Sequence, residues 1–131
     1  MDPAEDAAER LTSSFDHHDP ELTHEVLDRV HAMAHITGGG IPGNVNRALP
    51  GHLDARIEAD KWTIPNVFRV LGEAGQIVRD ELLRSFNMGV GMVVITDAAD
   101  AATIIDSAAG VGVPAWRLGT VVRGSGRVII T

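Results

Sequence analysis

Apolar residues in the first third of the chain recur at helical spacing. Leu22, Val26, Val30 and Met33 share one stripe, with Glu21, Glu25, Asp28 and Arg29 largely off it, which is the pattern of a helix with one buried face. Asp19-Pro20-Glu21 supplies an N-cap, a proline at the first turn and early acid, so a helix is predicted from Pro20 to about Ala34. A short strand, Ala34 to Thr37, then delivers Gly38-Gly39-Gly40, and Asn44 to Leu49 wind into a helix stopped by Pro50. From Leu53 to Ala59 the spacing changes to two. Leu53, Ala55, Ile57 and Ala59 alternate with Asp54, Arg56 and Glu58, predicting a strand with one wet face. Trp62 and Phe68 are core candidates around Pro65, ahead of short helices at Asn66 to Leu71, closed by Gly72 or Gly75, and at Val78 to Leu83. A strand over Phe86 to Thr96 would put Asn87, Gly89, Gly91, Val93 and Ile95 on one face. Close packing of a neighbouring element is the expected use of those glycines. Asp97 or Asp100 caps a helix through Ala109, Val113 to Val122 return as a strand, and Arg123-Gly124-Ser125-Gly126 form a hairpin-like turn into Arg127 to Ile130. The alternation predicts a layered α+β domain, a mixed sheet covered by helices.

The 131-residue length fits one domain burying about two thirds of its unfolded surface. That domain is expected over residues 19–131, behind an acidic, flexible segment at 1–18. Cysteine is absent, so neither disulfides nor thiolate metal sites are available, as suits a reducing compartment. A net charge of −7 argues against nucleic acid or anionic membrane as partners. The start carries no basic, apolar leader, and the apolar run Met88 to Ile95 is too short to span a bilayer. A soluble, cytoplasmic protein is expected. His17, His18 and His24, with Asp16 and Asp19, have no familiar ligand spacing, so no metal site is assigned.

The chemistry-bearing stretch is His35-Ile36-Thr37-Gly38-Gly39-Gly40, followed by Ile41-Pro42-Gly43-Asn44 and Arg47. Consecutive glycines accept positive φ and can turn their N–H groups toward one anion at a helix start, where Arg47 would add a planar cation. The same run also serves as a plain exposed turn. His35 reads equally as a donor to phosphate, a proton carrier, or a histidine bonded to backbone. Arg84 and Asn87, at the mouth of the Phe86 strand, can reach ligand oxygens; their alternatives are a surface ion pair and a turn.

Taken in order, the His35 to Gly40 loop, Asn44-x-x-Arg47-x-Leu49-Pro50, Trp62, Phe68 and Arg84-Ser85-Phe86-Asn87-Met88-Gly89-Val90-Gly91-Met92 resemble the C-terminal domain of aminoimidazole ribonucleotide synthetase, also called phosphoribosylformylglycinamidine cyclo-ligase. The resemblance spans roughly Ala34 to Ile130. It implies an α+β fold partly like the ferredoxin arrangement, and a role in ATP-dependent closure of formylglycinamidine ribonucleotide to aminoimidazole ribonucleotide. It also implies His35 as a catalytic donor, with Thr37, Gly38, Gly39, Gly40, Asn44, Arg47, Arg84 and Asn87 as substrate-binding residues. ATP and Mg²⁺ are implied for the family but belong to its N-terminal half, so none is expected for this chain alone. Gly43 stands where the family usually has Glu, Ser85 replaces Thr and Leu82 replaces Met. The family's Asp-Gly-Val-Gly-Thr-Lys nucleotide segment and its Pro-Thr-x-Ile-Tyr strand have no counterpart, and Lys61 is the single lysine.

The leading expectation is a substrate-side domain working beside an ATP-binding half in another chain, or a truncated relic. Self-association to a homodimer through a bared apolar face is also expected. The alternative is a non-catalytic module that holds a phosphorylated ligand. A third reading is a relative in the superfamily of selenophosphate synthetase, thiamine phosphate kinase and hydrogenase maturation proteins, from which the His35 loop and the Arg84 to Met92 stretch point away.

Overall fold

The alternation of short apolar runs and helical stripes does produce alternating elements. The computed structural model describes residues 28–131. They form β1 (Val30–His35), α1 (Gly40–Ala48), β2 (Leu53–Ile57), α2 (Asn66–Gly75), α3 (Arg79–Ser85), β3 (Met92–Thr96), α4 (Ala101–Gly110), β4 (Gly119–Arg123) and β5 (Val128–Ile130), with 3-10 turns at Ala59–Lys61 and Ala98–Asp100. The fold is α+β. Its strands make two sheets: β1 pairs with β3, and β2 lies between β4, antiparallel to it, and β5, parallel to it. None of the helices among the described residues is long and apolar enough to cross a membrane.

Contacts divide the described residues into two units, residues 28–33 with Val94–Arg117, and Ala34–Val93 with Leu118–Thr131. In the smaller unit the Arg29 guanidinium pairs with Asp100, His31 Nε2 meets Asp97 Oδ1 at 2.9 Å, and the Thr96 hydroxyl donates to the Arg29 carbonyl at 2.7 Å. Asp97 and Asp100 precede the 3-10 turn and α4 as predicted, but neither side chain caps its helix. Their carboxylates are turned to the cation and the imidazole instead.

The larger unit holds every nearly buried apolar residue among the described ones. Ile41 and Val45, one turn apart on α1, are fully enclosed, and Leu82, Leu83 and Met88 gather Ile64, Phe68, Ile77, Phe86 and Ile130. The rings of Phe68 and Phe86 lie 5.7 Å apart at 49°, a tilted aromatic contact. Trp62 is half-buried and donates its indole N–H to the Met88 carbonyl at 3.0 Å. On α2, Val67, Val70 and Leu71 form an exposed apolar stripe.

Several predicted boundaries move, each for a physical reason. The helix expected to run to Ala34 gives way to β1 from Val30; its earlier part, and the 1–18 segment, lie outside the described residues. Within β1 the apolar Val30, Ala32 and Ala34 alternate with His31, Met33 and His35, a strand period that coexists with the helical spacing, and pairing with β3 decides between the two. β3 begins only at Met92, because Asn87 to Val90 close a turn. Val90 N–H donates to the Asn87 carbonyl at 3.0 Å, with positive φ at Met88 (56°) and Gly89 (94°), the signs of a type I′ turn. Residues 87–91 therefore do not share a strand face. Residues 113–118 carry no regular structure, so the return strand is only Gly119–Arg123. Arg123 to Gly126 is no hairpin either, since β4 and β5 both pair with β2 and the chain crosses over its start.

Two close approaches fix this unit. Gly40 (φ 63°) is buried where a Cβ would overlap the carbonyl oxygen of Leu83 in α3, whereas at Gly39 (φ 97°) a Cβ has room and at Gly38 it meets nothing. The other is Asp54, expected on a wet face of β2 but only 3% exposed. Its Oδ1 accepts the N–H groups of Ser125 at 2.9 Å and Arg127 at 2.8 Å. Those two backbone bonds, and then the Arg127 charge, hold its pKa below the usual carboxylate value against the opposing effect of burial.

Alanine substitution along the glycine run is therefore graded. Gly38→Ala changes stability by less than about 0.5 kcal/mol, Gly39→Ala costs about 1–2 kcal/mol for the left-handed backbone, and Gly40→Ala costs about 3 kcal/mol or more by adding the clash. Denaturant unfolding of the full chain measures all three. For Asp54, whose folded pKa is depressed, the stabilisation is present above the unfolded value of about 3.9 and is lost as pH falls through the folded value. The stability gap between wild type and Asp54→Asn should accordingly be flat above about pH 5 and shrink below about pH 4.

Candidate functional site

The glycine run works as a turn because two of its residues take backbone conformations that side chains resist. Gly40 N–H donates to the Thr37 carbonyl at 3.0 Å, with Gly39 at φ 97°. Asn44, one turn into α1 and 7% exposed, closes the turn from beneath. Its Nδ2 donates to the carbonyls of Gly40 at 2.8 Å and of Thr37 and Gly38 at 3.3 Å each, and its Oδ1 accepts the Thr37 hydroxyl at 3.3 Å. The turn is thus held by an internal amide, while Thr37, Gly38 and Gly39 face solvent. Gly39 precedes α1 as its N-cap residue, with no side-chain cap and no acid in the first turn, a helix end whose positive partial charge meets no acid from α1 itself.

That helix start borders an open groove of about 590 Å³, lined by Gly39 ahead of α1, Pro42, Gly43 and Asn46 from α1, Arg84 from the end of α3, and Gly126, Arg127, Val128 and Ile129 from the crossover and β5. The volume suits a small ligand. Arg84 is exposed and has no ion-pair partner among the described residues. Asn46 Nδ2 donates to the Gly126 carbonyl, tying α1 to the crossover. Four consecutive N–H groups of that crossover go to the start of β2: Gly124 to the His52 carbonyl at 2.9 Å, Gly126 to the Leu53 carbonyl at 3.0 Å, and Ser125 and Arg127 to Asp54. Gly124 must be glycine, since a Cβ there would overlap the Asp54 carboxylate.

Of the residues singled out from sequence, Gly39 and Arg84 line this groove together. Gly40 and Asn44 are buried behind the turn, and Thr37 and Gly38 lie on its exposed side. His35 ends β1, exposed, and does not border the groove. Arg47 sits in the last turn of α1, because the helix starts four residues earlier than the pattern suggested; there its charge faces the negative end of the dipole. Asn87 Oδ1 accepts the Gly89 N–H at 2.9 Å within its turn. Sequence reasoning missed Asn46, Gly126 and Arg127. The available signal was the basic glycine segment Arg123-Gly-Ser-Gly-Arg127, read as a hairpin. Among the described residues no group of three His, Asp or Glu could hold a metal ion.

Residues 19–131 match the family described as AIR synthase related protein, C-terminal domain. Over 100 residues the chain is 42% identical to a phosphoribosylformylglycinamidine cyclo-ligase of Thermosynechococcus vestitus, covering 76% of this chain and 29% of that one. Over 103 residues it is 38% identical to the cyclo-ligase of Pseudothermotoga lettingae, covering 79% and 31%. It is 46% identical over 88 residues to the bifunctional purine biosynthetic protein ADE5,7 of Saccharomyces cerevisiae, covering 67% of this chain and 11% of that protein. Among solved structures, thiamine-monophosphate kinase from Stenotrophomonas maltophilia shares the fold, with a TM-score of 0.56 at 19% identity over 84% of this chain and 34% of that one. The chain therefore spans less than a third of the cyclo-ligases it matches, and what it matches is one domain of them. With the ordered motifs and this family match over most of its length, the chain belongs to the AIR synthase related family and carries that family's C-terminal domain.

Proposed function

We propose that this chain is the substrate-side domain of a phosphoribosylformylglycinamidine cyclo-ligase, active in purine biosynthesis beside an ATP-binding half. The supporting observation is the groove itself, where the start of α1, which has no side-chain cap, and the guanidinium of Arg84, without an ion-pair partner among the described residues, meet with no acidic residue among the lining groups. Such a surface favours the anionic end of a ribonucleotide. In ring closure the formyl amide oxygen is activated with phosphate from ATP, and the attacking nitrogen then displaces that phosphate. This chain's residues hold and orient the substrate. Thr37 to Gly39 present backbone on the exposed turn, Gly40 and Asn44 keep it rigid, and Arg84 supplies charge. His35, exposed one residue ahead of the buried Ile36, serves as donor or proton carrier toward the partner half. The Mg²⁺-ATP pair is assigned to the ATP-binding half, and what this chain contributes is the hold on substrate, with His35 as donor or proton carrier. The exposed Val67, Val70 and Leu71 stripe supports work against another protein surface.

Calorimetric titration of the full chain tests this. Formylglycinamidine ribonucleotide should bind, and Mg²⁺-ATP alone should not. Arg84→Ala should weaken ribonucleotide binding by about tenfold or more, the loss of a charge-assisted contact. Gly39→Asp, which sets a carboxylate at the helix start lining the groove, should weaken it comparably. Ring closure should appear only when an ATP-binding half is added. Ribonucleotide binding with no turnover in that mixture would favour the non-catalytic ligand-binding module, and absence of ribonucleotide binding would remove both readings.

A further inference from the structure

Arg127 is the groove residue whose placement is most heavily determined. Its N–H is bonded to Asp54 Oδ1 at 2.8 Å, its carbonyl accepts Ala55 N–H at 2.9 Å, and its side chain remains 68% exposed beside the groove. The guanidinium touches Asp54 Oδ2 only through Nη2, at 3.4 Å. That is a long contact, and a guanidinium has five donors, so most of its hydrogen-bonding capacity is unspent. The Asp54 carboxylate is 4% exposed and already accepts two backbone N–H groups, so its charge is largely committed to the crossover. Gly124 leaves room for that carboxylate, and Asn46 holds the carbonyl of Gly126 from the α1 side. Arg84 contributes a second cation to the same groove, and Gly39, Pro42, Gly43, Asn46, Gly126, Val128 and Ile129 add no acid. In a chain of net charge −7 this is a local cationic spot.

We infer that Arg127 and Arg84 together hold the phosphomonoester end of the ligand, with Asp54 as the positioning residue that fixes Arg127. This rests on the substrate-side reading above and adds to it a second guanidinium and its support. Two planar forks suit the several oxygens of a phosphate, whereas a single carboxylate would occupy one of them.

The test is a nuclear magnetic resonance titration of the isotopically labelled full chain with ribose 5-phosphate, with ribose and inorganic phosphate as separate arms. Ribose 5-phosphate should shift the amides of Gly39, Gly43, Ser125 and Gly126, and ribose should not. Arg127→Ala should weaken binding by about tenfold or more, and Arg127→Lys, which keeps the charge without the fork, should lie between. Asp54→Asn should weaken binding while the amides of α1 and α3 stay at their wild-type positions, and adding Arg127→Ala to it should cost little more, because both act through one guanidinium. Additive losses would leave Asp54 with a structural role alone and overturn its positioning role. Unchanged affinity in Arg127→Ala, with loss in Arg84→Ala, would overturn the clamp and leave the substrate-side reading standing. Inorganic phosphate bound as tightly as ribose 5-phosphate would mean an adventitious ion only. No binding of ribose 5-phosphate would also overturn the clamp, and the formylglycinamidine ribonucleotide titration decides the broader reading independently.

Discussion

A buried carboxylate under a chain crossover is the constraint on which the β4-β2-β5 sheet depends. With β4 antiparallel and β5 parallel to β2, the chain must cross the start of β2 between Arg123 and Val128. Crossing residues cannot use the strand ladder, and their N–H groups would be unsatisfied if buried without partners. Asp54 supplies two acceptor contacts and the carbonyls of His52 and Leu53 two more, so each N–H from Gly124 to Arg127 has an acceptor. The depressed pKa of Asp54 is the same fact seen from the proton. Removing its charge would weaken the strand order and the edge of the groove together.

The other wall of the groove is set by steric exclusion. Gly40 lies against the Leu83 carbonyl and so fixes where α1 begins relative to α3. Asn44 then converts the exposed turn before it into a rigid one by bonding three of its carbonyls. Arg84, the residue after Leu83, is carried to the groove by the same packing. The helix start and the guanidinium are thus registered through one close contact.

Sequence pattern made the element types legible wherever one period dominated, as at β2, α2, α3 and α4. It misled where two periods fitted, as at Val30 to Met33, and where a turn hid inside an apolar run, as at Asn87 to Val90. Asp54 looked like the polar half of an alternating strand, because periodicity cannot show that an unseen segment covers that face. The same blindness hid Arg127. Its role depends on a crossover joining residues more than 70 positions apart in sequence, and local spacing carries no trace of it. The glycine run was legible as a turn, and the ordered motifs were legible as a family, because both are properties of contiguous residues.

The two walls differ in what they ask of a ligand. On the α1 side the rigid parts are backbone and a buried amide, which give a fixed shape and a partial charge. On the crossover side the fixed part is Asp54, and the group it carries, Arg127, is long and exposed. On the proposed reading, a ligand entering the groove would meet one preformed surface and two guanidiniums able to adjust to it, so most of the ordering cost would fall on Arg84 and Arg127. The four direct hydrogen bonds from the crossover to β2 lessen that cost on one side by holding the Arg127 backbone before the ligand arrives. Arg84 has no comparable side-chain support among the described residues, which makes it the more adaptable of the pair.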